Sequence, residues 1–439
     1  MRRAAVLAAF ALSMLAAGGA RAQIEATVNA LVRPPLSDQL HFYYPHGFIH
    51  HRYHPAEAFD CTRDWPRLDA VVHSLPRYAT LRLYGKGPAC TLTGPLAVDR
   101  PLRLIGWMDD PDRDRDKDKD REKRPTILAA AGGPCIDVLP SGELVLQDLR
   151  IFSDDKGPKN DCVRSAGTAL TLDGVEIGSP GTALRVDGGE VELRNAVIRG
   201  GGDHADVVLD QAQFVIADSE IRAHGDALEI RPPDHGVATI SRTSLFTEGH
   251  DNAGLVLRSP RGDGASALVS LDRIAIREFS VGIVAEPHTR AVASQIAIFG
   301  SRDTGIDMNG SGFTLLQSVI LHGRVGIHMH GYGPAPDLHA GEPRIEGNRI
   351  ARVHEAGIAV EDGTPGAVRD NMIAAAHSRC IVGDGARGDI RESLNRCTNE
   401  DGERGFLAGL GPWFMELFHG NNHIIEPWLY ADEAMPDRH

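Results

Sequence analysis

Lysine runs out of this sequence at Lys159, and aromatic residues make up only 5% of it. The formal net charge is −14, so the chain lacks the basic surplus that a phosphate backbone demands, and nucleic acid is not the expected partner. Net charge alone would not hold a polyanion either; an acidic sugar chain would need a local basic patch. Cysteine is sparse, six in 439 residues, and no Cys-x-x-Cys occurs, which disfavours zinc or redox chemistry through sulfur. After residue 22 no apolar run is long enough to span a bilayer. Long helical periodicity is missing as well, because apolar residues mostly alternate with period two.

What is present is a repeat. A pattern φxφxxφxφ, apolar at φ, recurs about ten times and reads as two short strands bent around a two-residue turn. Its second φ falls at Leu146, Leu172, Leu193, Ile216, Ile240, Leu271, Ala293, Leu315, Ile345 and Val368, at intervals of 21 to 31 residues. A third strand, Gly-φ-x-φ, follows in phase. It reads Leu184/Val186, Val207/Leu209, Leu228/Ile230, Leu255/Leu257, Ile283/Ala285, Ile306/Met308, Ile327/Met329 and Ile358/Val360. A fixed period with insertions confined to the turns is the signature of a solenoid. A leucine-rich repeat would need a regular Leu ladder and an Asn at a fixed place, and has neither here. Three strands per turn with no room for a helix specify an all-β, single-stranded parallel β-helix, expected to be right-handed. Ten coils at roughly 4.8 Å each predict a rod about 50 Å long.

The Gly-Ile-x-Val strand at Gly357–Val360, the Asn-x-Ile of Asn348–Ile350 and Asn371–Ile373, and the lead-in Gly94–Gly106 with Thr126–Leu128 resemble the repeats of the pectate-lyase-like superfamily. The resemblance covers about residues 80–397 and implies the β-helix fold. It does not select a chemistry, because that fold carries lyases, hydrolases, epimerases, esterases, phage spikes and proteins without catalysis.

The expected organisation has four parts. Residues 1–22 read as a signal peptide, with Arg2 and Arg3, an apolar stretch at Ala4–Ala17 and the small-x-small site Ala20–Ala22, so a periplasmic or extracellular location is expected. Residues 23–80 hold a His- and Tyr-rich arm and a capping helix, Asp64–Leu75, with Asp64 as cap and Pro66 in its first turn. The arm, with His41, His46, His50, His51 and His54, reads as a polar strap along the rod; a metal site is the alternative. Residues 81–397 form the β-helix, interrupted by the charged loop 109–124, where eight acids and seven bases nearly cancel. That loop should be solvated; calcium is the one candidate ion, disfavoured because most of its acids have a basic neighbour. Residues 398–439 gather Phe406, Trp413, Phe414, Phe418, Trp428 and Tyr430 and are expected to cap the last coil, with a sugar-stacking platform or partner patch as alternatives. The even cysteine count fits export, and the spacing suits the pairs Cys61–Cys90, Cys135–Cys162 and Cys380–Cys397 among fifteen connectivities.

On a β-helix equivalent positions stack from coil to coil, so outward residues form ladders. Along the Gly-φ-x-φ strands the middle coils present Glu229, Arg231, Arg258, Glu286, Asp307, Asn309, His328 and His330, with Tyr332 two residues on and Arg324 in the preceding turn. This set suits proton abstraction beside the carboxylate of a uronic acid. That chemistry needs charge or donors on the carboxylate (Arg231, Arg258, Arg324, Asn309), a base near neutral pKa (His328), and an acid opposite it (Tyr332 or His330). Gly-Ile-Asp307-Met-Asn309 resembles the Asp-Pro-His-Asp strand of alginate epimerases only in its Gly and first Asp, so those roles are not carried over. A lyase with a β-helix lysine base is disfavoured, an arginine-base lyase is not, and polygalacturonase-type motifs are absent. Glu286 with Asp307 keeps hydrolysis open.

The expectation is therefore a protein acting on a uronate-containing polysaccharide as lyase or C5-epimerase, with no cofactor required. A non-catalytic polysaccharide-binding or envelope scaffold is the alternative. A periplasmic metal handler, similar to the β-helix protein that serves nitrous-oxide reductase maturation, is the third.

Overall fold

The computed structural model describes residues 53–398 except 62–67, 85–89, 93, 107–125, 130–133, 154–160, 248, 250–251, 262–266, 333–340, 362, 375–378, 384–388 and 391–394. The stretch expected to be a signal peptide, the arm up to Arg52, the charged loop and the aromatic-rich tail therefore lie outside the described residues.

The chain winds into a parallel β-solenoid of about twelve turns. The strands form three stacks, some long strands running through two of them, and every described pairing is parallel between consecutive turns. The Gly-φ-x-φ strands build the first stack, from Leu96–Val98 through Thr304–Asn309 to Arg379–Val382. The two halves of the long pattern build the second and third. Register follows the repeat residue for residue. Leu146 pairs Leu172, which pairs Leu193, and the same column runs through Ile216, Ile240, Leu271, Ala293, Leu315 and Ile345 to Val368. In the first stack Ile283, Ile306, Ile327 and Ile358 stand in one column. All of these inward side chains are essentially inaccessible to water, so one apolar core runs through the coil interior. The solenoid exceeds the ten coils read from sequence because Leu81 and Leu104 before the repeat, and Ile390 after it, extend the same column.

Two backbone devices explain the pattern. Between the second and third stacks one residue per coil takes a left-handed conformation: Asp148, Asn195, Asp218, Arg242, Arg273, Gln295, Gln317 and Asp370 have φ from 45° to 57°, and glycine takes the place at Gly174 and Gly347. The next residue is buried, apolar in some coils, and in the last coils a polar one that bonds to the coil beside it. Asn348 Nδ2 donates to Leu315 O (3.1 Å) and to Asn371 Oδ1 (3.0 Å), and Asn371 Nδ2 donates to Ile345 O (2.9 Å) and Asn395 Oδ1 (2.9 Å). Ser318 heads this ladder, its amide donating to Asn348 Oδ1. The second device is the glycine ahead of the inward apolar pair in five successive first-stack strands, at Gly254, Gly282, Gly305, Gly326 and Gly357. A Cβ on Gly305 would lie 2.5 Å from Gly326 O and 2.7 Å from Ile320 Cγ2. In these coils a side chain at the corner from third to first stack would meet backbone, whereas other coils carry Asp206, Ala227 and Cys380 at the equivalent place.

A helix at Leu68–Ser74 buries Leu68 and Val72 against the strands Cys90–Leu92 and Leu96–Val98, as a cap should; Asp64 and Pro66 lie outside the described residues. Cys61–Cys90 and Cys135–Cys162 are disulfides, each with Cα atoms 4.7 Å apart, the spacing of neighbouring strands. The third expected pair is not formed: neither Cys380 nor Cys397 is in a disulfide. Cys380 belongs to the first stack, on Arg379–Val382, whereas Cys397 is in the third, opposite Ile373. Positions in different stacks do not superpose along the coil, so close spacing in sequence misleads here.

Candidate functional site

The strand Thr304–Asn309 lies beside Val319–His330 with Asp307 directly opposite His328 and Asn309 opposite His330. Alternation sends Ile306, Met308, Ile327 and Met329 into the core, so Asp307, His328 and His330 share the outer face. They touch. Asp307 Oδ1 is 2.9 Å from His330 Nε2 and 3.3 Å from His328 Nδ1. The two rings stack with centroids 4.5 Å apart and planes 20° from parallel. From the next coil Glu361 Oε1 comes within 3.7 Å of His328 Nε2, the nitrogen facing away from Asp307.

Electrostatics follow from these contacts. Its hydrogen bond to the Asp307 carboxylate raises the His328 pKa above the ordinary imidazole value, against an opposing pull from partial burial. Burial pushes the Asp307 carboxyl up, but the two imidazoles outweigh it and hold the group below the usual carboxylate range. The cluster thus favours a carboxylate facing imidazolium. Tyr332 sits differently. Gly331, at φ 72°, turns the chain after His330, and the ring packs against the core. Its hydroxyl donates to Ser311 O (2.8 Å), and burial raises its pKa.

The arginines of the strip are engaged. Arg258 clamps Glu286 (2.6 Å) from the coil after it and Glu229 (2.9 Å) from the coil before, which raises its own pKa. Burial pushes Glu286 up, but the Ser259 amide (2.9 Å) and Arg258 hold it below the usual range. Arg231 reaches Asp210 (3.1 Å) and Ser259 O (3.3 Å), and Arg261 joins it on the same Asp210 oxygen. Arg324 spans Asp303 and Glu355, at 2.6 Å each, on the exposed rim. Of the residues expected to converge, the structure joins Asp307, His328 and His330, keeps Asn309 beside them in register, and places Arg231, Arg258, Glu286 and Arg324 in separate ion-pair networks.

Glu361 was visible in sequence as the next rung after His330, and its role emerges only from its approach to His328. A second polar feature lies on the outward positions of the long pattern. On the third stack Arg222 and Arg277, on the rungs before and after Phe246, lie over its ring, 5.5 and 4.7 Å from the centroid. Among the described residues no helix is long and apolar enough to cross a membrane. No family model matches the chain, and no curated protein or solved structure does, so the coil and the side chains of its strip carry the functional reading by themselves.

Proposed function

We propose that the chain is exported and acts on a uronate-containing polysaccharide laid along the first stack, as a lyase or C5-epimerase. The observation that supports this is a single carboxylate oxygen, Asp307 Oδ1, shared by the imidazoles of His328 and His330. Removing the proton at C5 of a uronate leaves charge on the neighbouring carboxylate, which must be neutralised as it forms. With Arg231, Arg258 and Arg324 already bonded to acids, that charge comes from the imidazolium that Asp307 stabilises. The other imidazole is the base; in an epimerase a water returns a proton to the opposite face of C5, and in a lyase the C4–O bond breaks and a water protonates the departing oxygen. Tyr332 holds the end of the strand, since its hydroxyl is committed to Ser311. The two disulfides fit the oxidising compartment that export implies.

A panel of acidic and neutral polysaccharides tests this, followed by unsaturated-product absorbance, reducing ends and epimer ratio. The expected result is turnover of a uronate polymer that Asp307→Asn and His328→Ala abolish while both stay folded. A second reading, binding of a polysaccharide without turnover, is favoured by the closed ion pairs of Arg258 and Arg231, which leave the strip little net positive charge. It predicts polymer binding that survives both substitutions and no new product.

A further inference from the structure

We infer that Asp307, His328 and His330 form a binding site for a divalent transition ion of the zinc class. The ion would be held by Asp307 Oδ1, His328 Nδ1 and His330 Nε2. These three atoms lie within 4.8 Å of one another. Ligands of a tetrahedral ion at 2.0–2.2 Å stand about 3.3 Å apart. Of the two separations from Asp307 Oδ1, 3.3 Å equals that edge and 2.9 Å is shorter than it, close enough for small side-chain rotations to admit an ion. Two imidazoles and one carboxylate are the donor set of zinc, nickel, copper or iron, and not of calcium, which takes oxygen ligands.

Three further features support the assignment. The ligands stand on two paired strands, where the backbone ladder fixes the direction of each side chain, so little ordering remains for the ion to impose. Three protein ligands leave a fourth position, and the half-exposed side chains leave it facing solvent, the arrangement of a working rather than a structural site. Glu361 is the third feature. A ligating histidine usually donates its other ring N–H to a carboxylate, and Glu361 Oε1 is 3.7 Å from His328 Nε2, the nitrogen that ligation leaves over.

The inference goes beyond the proposed reaction and does not depend on it. A bound cation would grip the carboxylate of an acidic sugar, the task for which the engaged arginines are not free. Loading would also turn both imidazoles from proton carriers into ligands, so metal-free and loaded protein are to be assayed separately.

The experiment is a titration of the chelator-stripped full chain with zinc by calorimetry and with cobalt by visible absorption. Other histidines are present, so the readout is the difference between wild type and variants. The wild type should bind one more equivalent of zinc than His330→Ala or Asp307→Asn, and its cobalt spectrum should carry bands that both variants lose. Glu361→Gln should keep the stoichiometry and weaken affinity about 10-fold. Asp307→Asn preserves size and shape, so it carries the test if His330→Ala does not fold. Equal stoichiometry and equal cobalt spectra in wild type and Asp307→Asn would overturn the inference. Zinc binding without turnover would leave it standing and sink the proposed reaction; turnover without zinc binding would do the reverse.

Discussion

Asp206 offers the clearest quantitative test of the solenoid as a physical object. It lies in the turn entering the strand Val207–Asp210 and has no accessible surface. One carboxyl oxygen accepts the Gly200 amide (3.0 Å), and the other is buried without a partner. Burial is the main cause that lifts its pKa from 3.8 to about 8; the Gly200 bond opposes this, and the nearby Asp226 adds to it. Between those two values the unfolded chain has released a proton that the folded chain keeps. Stability from this group is therefore full at low pH and falls as pH rises, by about 1.4 kcal/mol per pH unit. From pH 5 to pH 7 the loss is about 2.7 kcal/mol. Asp206→Asn removes the titration. Its amide inserts N–H groups where none were bonded, but that cost is the same at every pH, so the slope and not the absolute stability carries the test. Urea unfolding of both proteins at pH 5, 6, 7 and 8 should show the wild type losing stability relative to the variant at every step. Parallel curves would refute the buried, protonated carboxyl.

The remaining predictions concern the scaffold. Asn371→Ala removes the middle of the asparagine ladder and leaves the amide of Asn348 and the carbonyl of Ile345 without partners; a loss of about 3 kcal/mol is expected in chemical denaturation. Gly305→Ala should cost about 1–3 kcal/mol, because its Cβ meets backbone and a packed isoleucine, and a variant as stable as the wild type would contradict the tight corner. Thiol titration of the denatured, unreduced protein should find two free cysteines, and Cys380→Ser with Cys397→Ser should leave the melting temperature unchanged. Cys135→Ser should lower stability by about 2–4 kcal/mol.

The sequence announced the coil because period-two alternation and stacking leave few alternatives. Once Leu146 and Leu172 occupy one column, the pairing of Asp307 with His328 follows by counting, and it is found. The end coils were harder to see because the repeat degenerates there. Which acid meets which arginine was not legible, since Arg258 is long enough to reach the rung on either side, and only its geometry decides between Glu229 and Glu286. It takes both. Tyr332 was misleading for a different reason: a single left-handed glycine ends the alternation that would have sent it outward. Cys380 and Cys397 show that proximity in sequence predicts a disulfide only when both residues fall at equivalent places in neighbouring turns.

The most direct measurement is the fate of the C5 proton of a uronate polymer, followed by NMR in heavy water with metal-free and zinc-loaded protein. Wild type should make that signal decay, through exchange for deuterium in an epimerase or loss to an unsaturated end in a lyase, and Asp307→Asn or His328→Ala should preserve it. A C5 signal that persists on every uronate polymer with the wild type, loaded or not, would contradict proton transfer at this cluster.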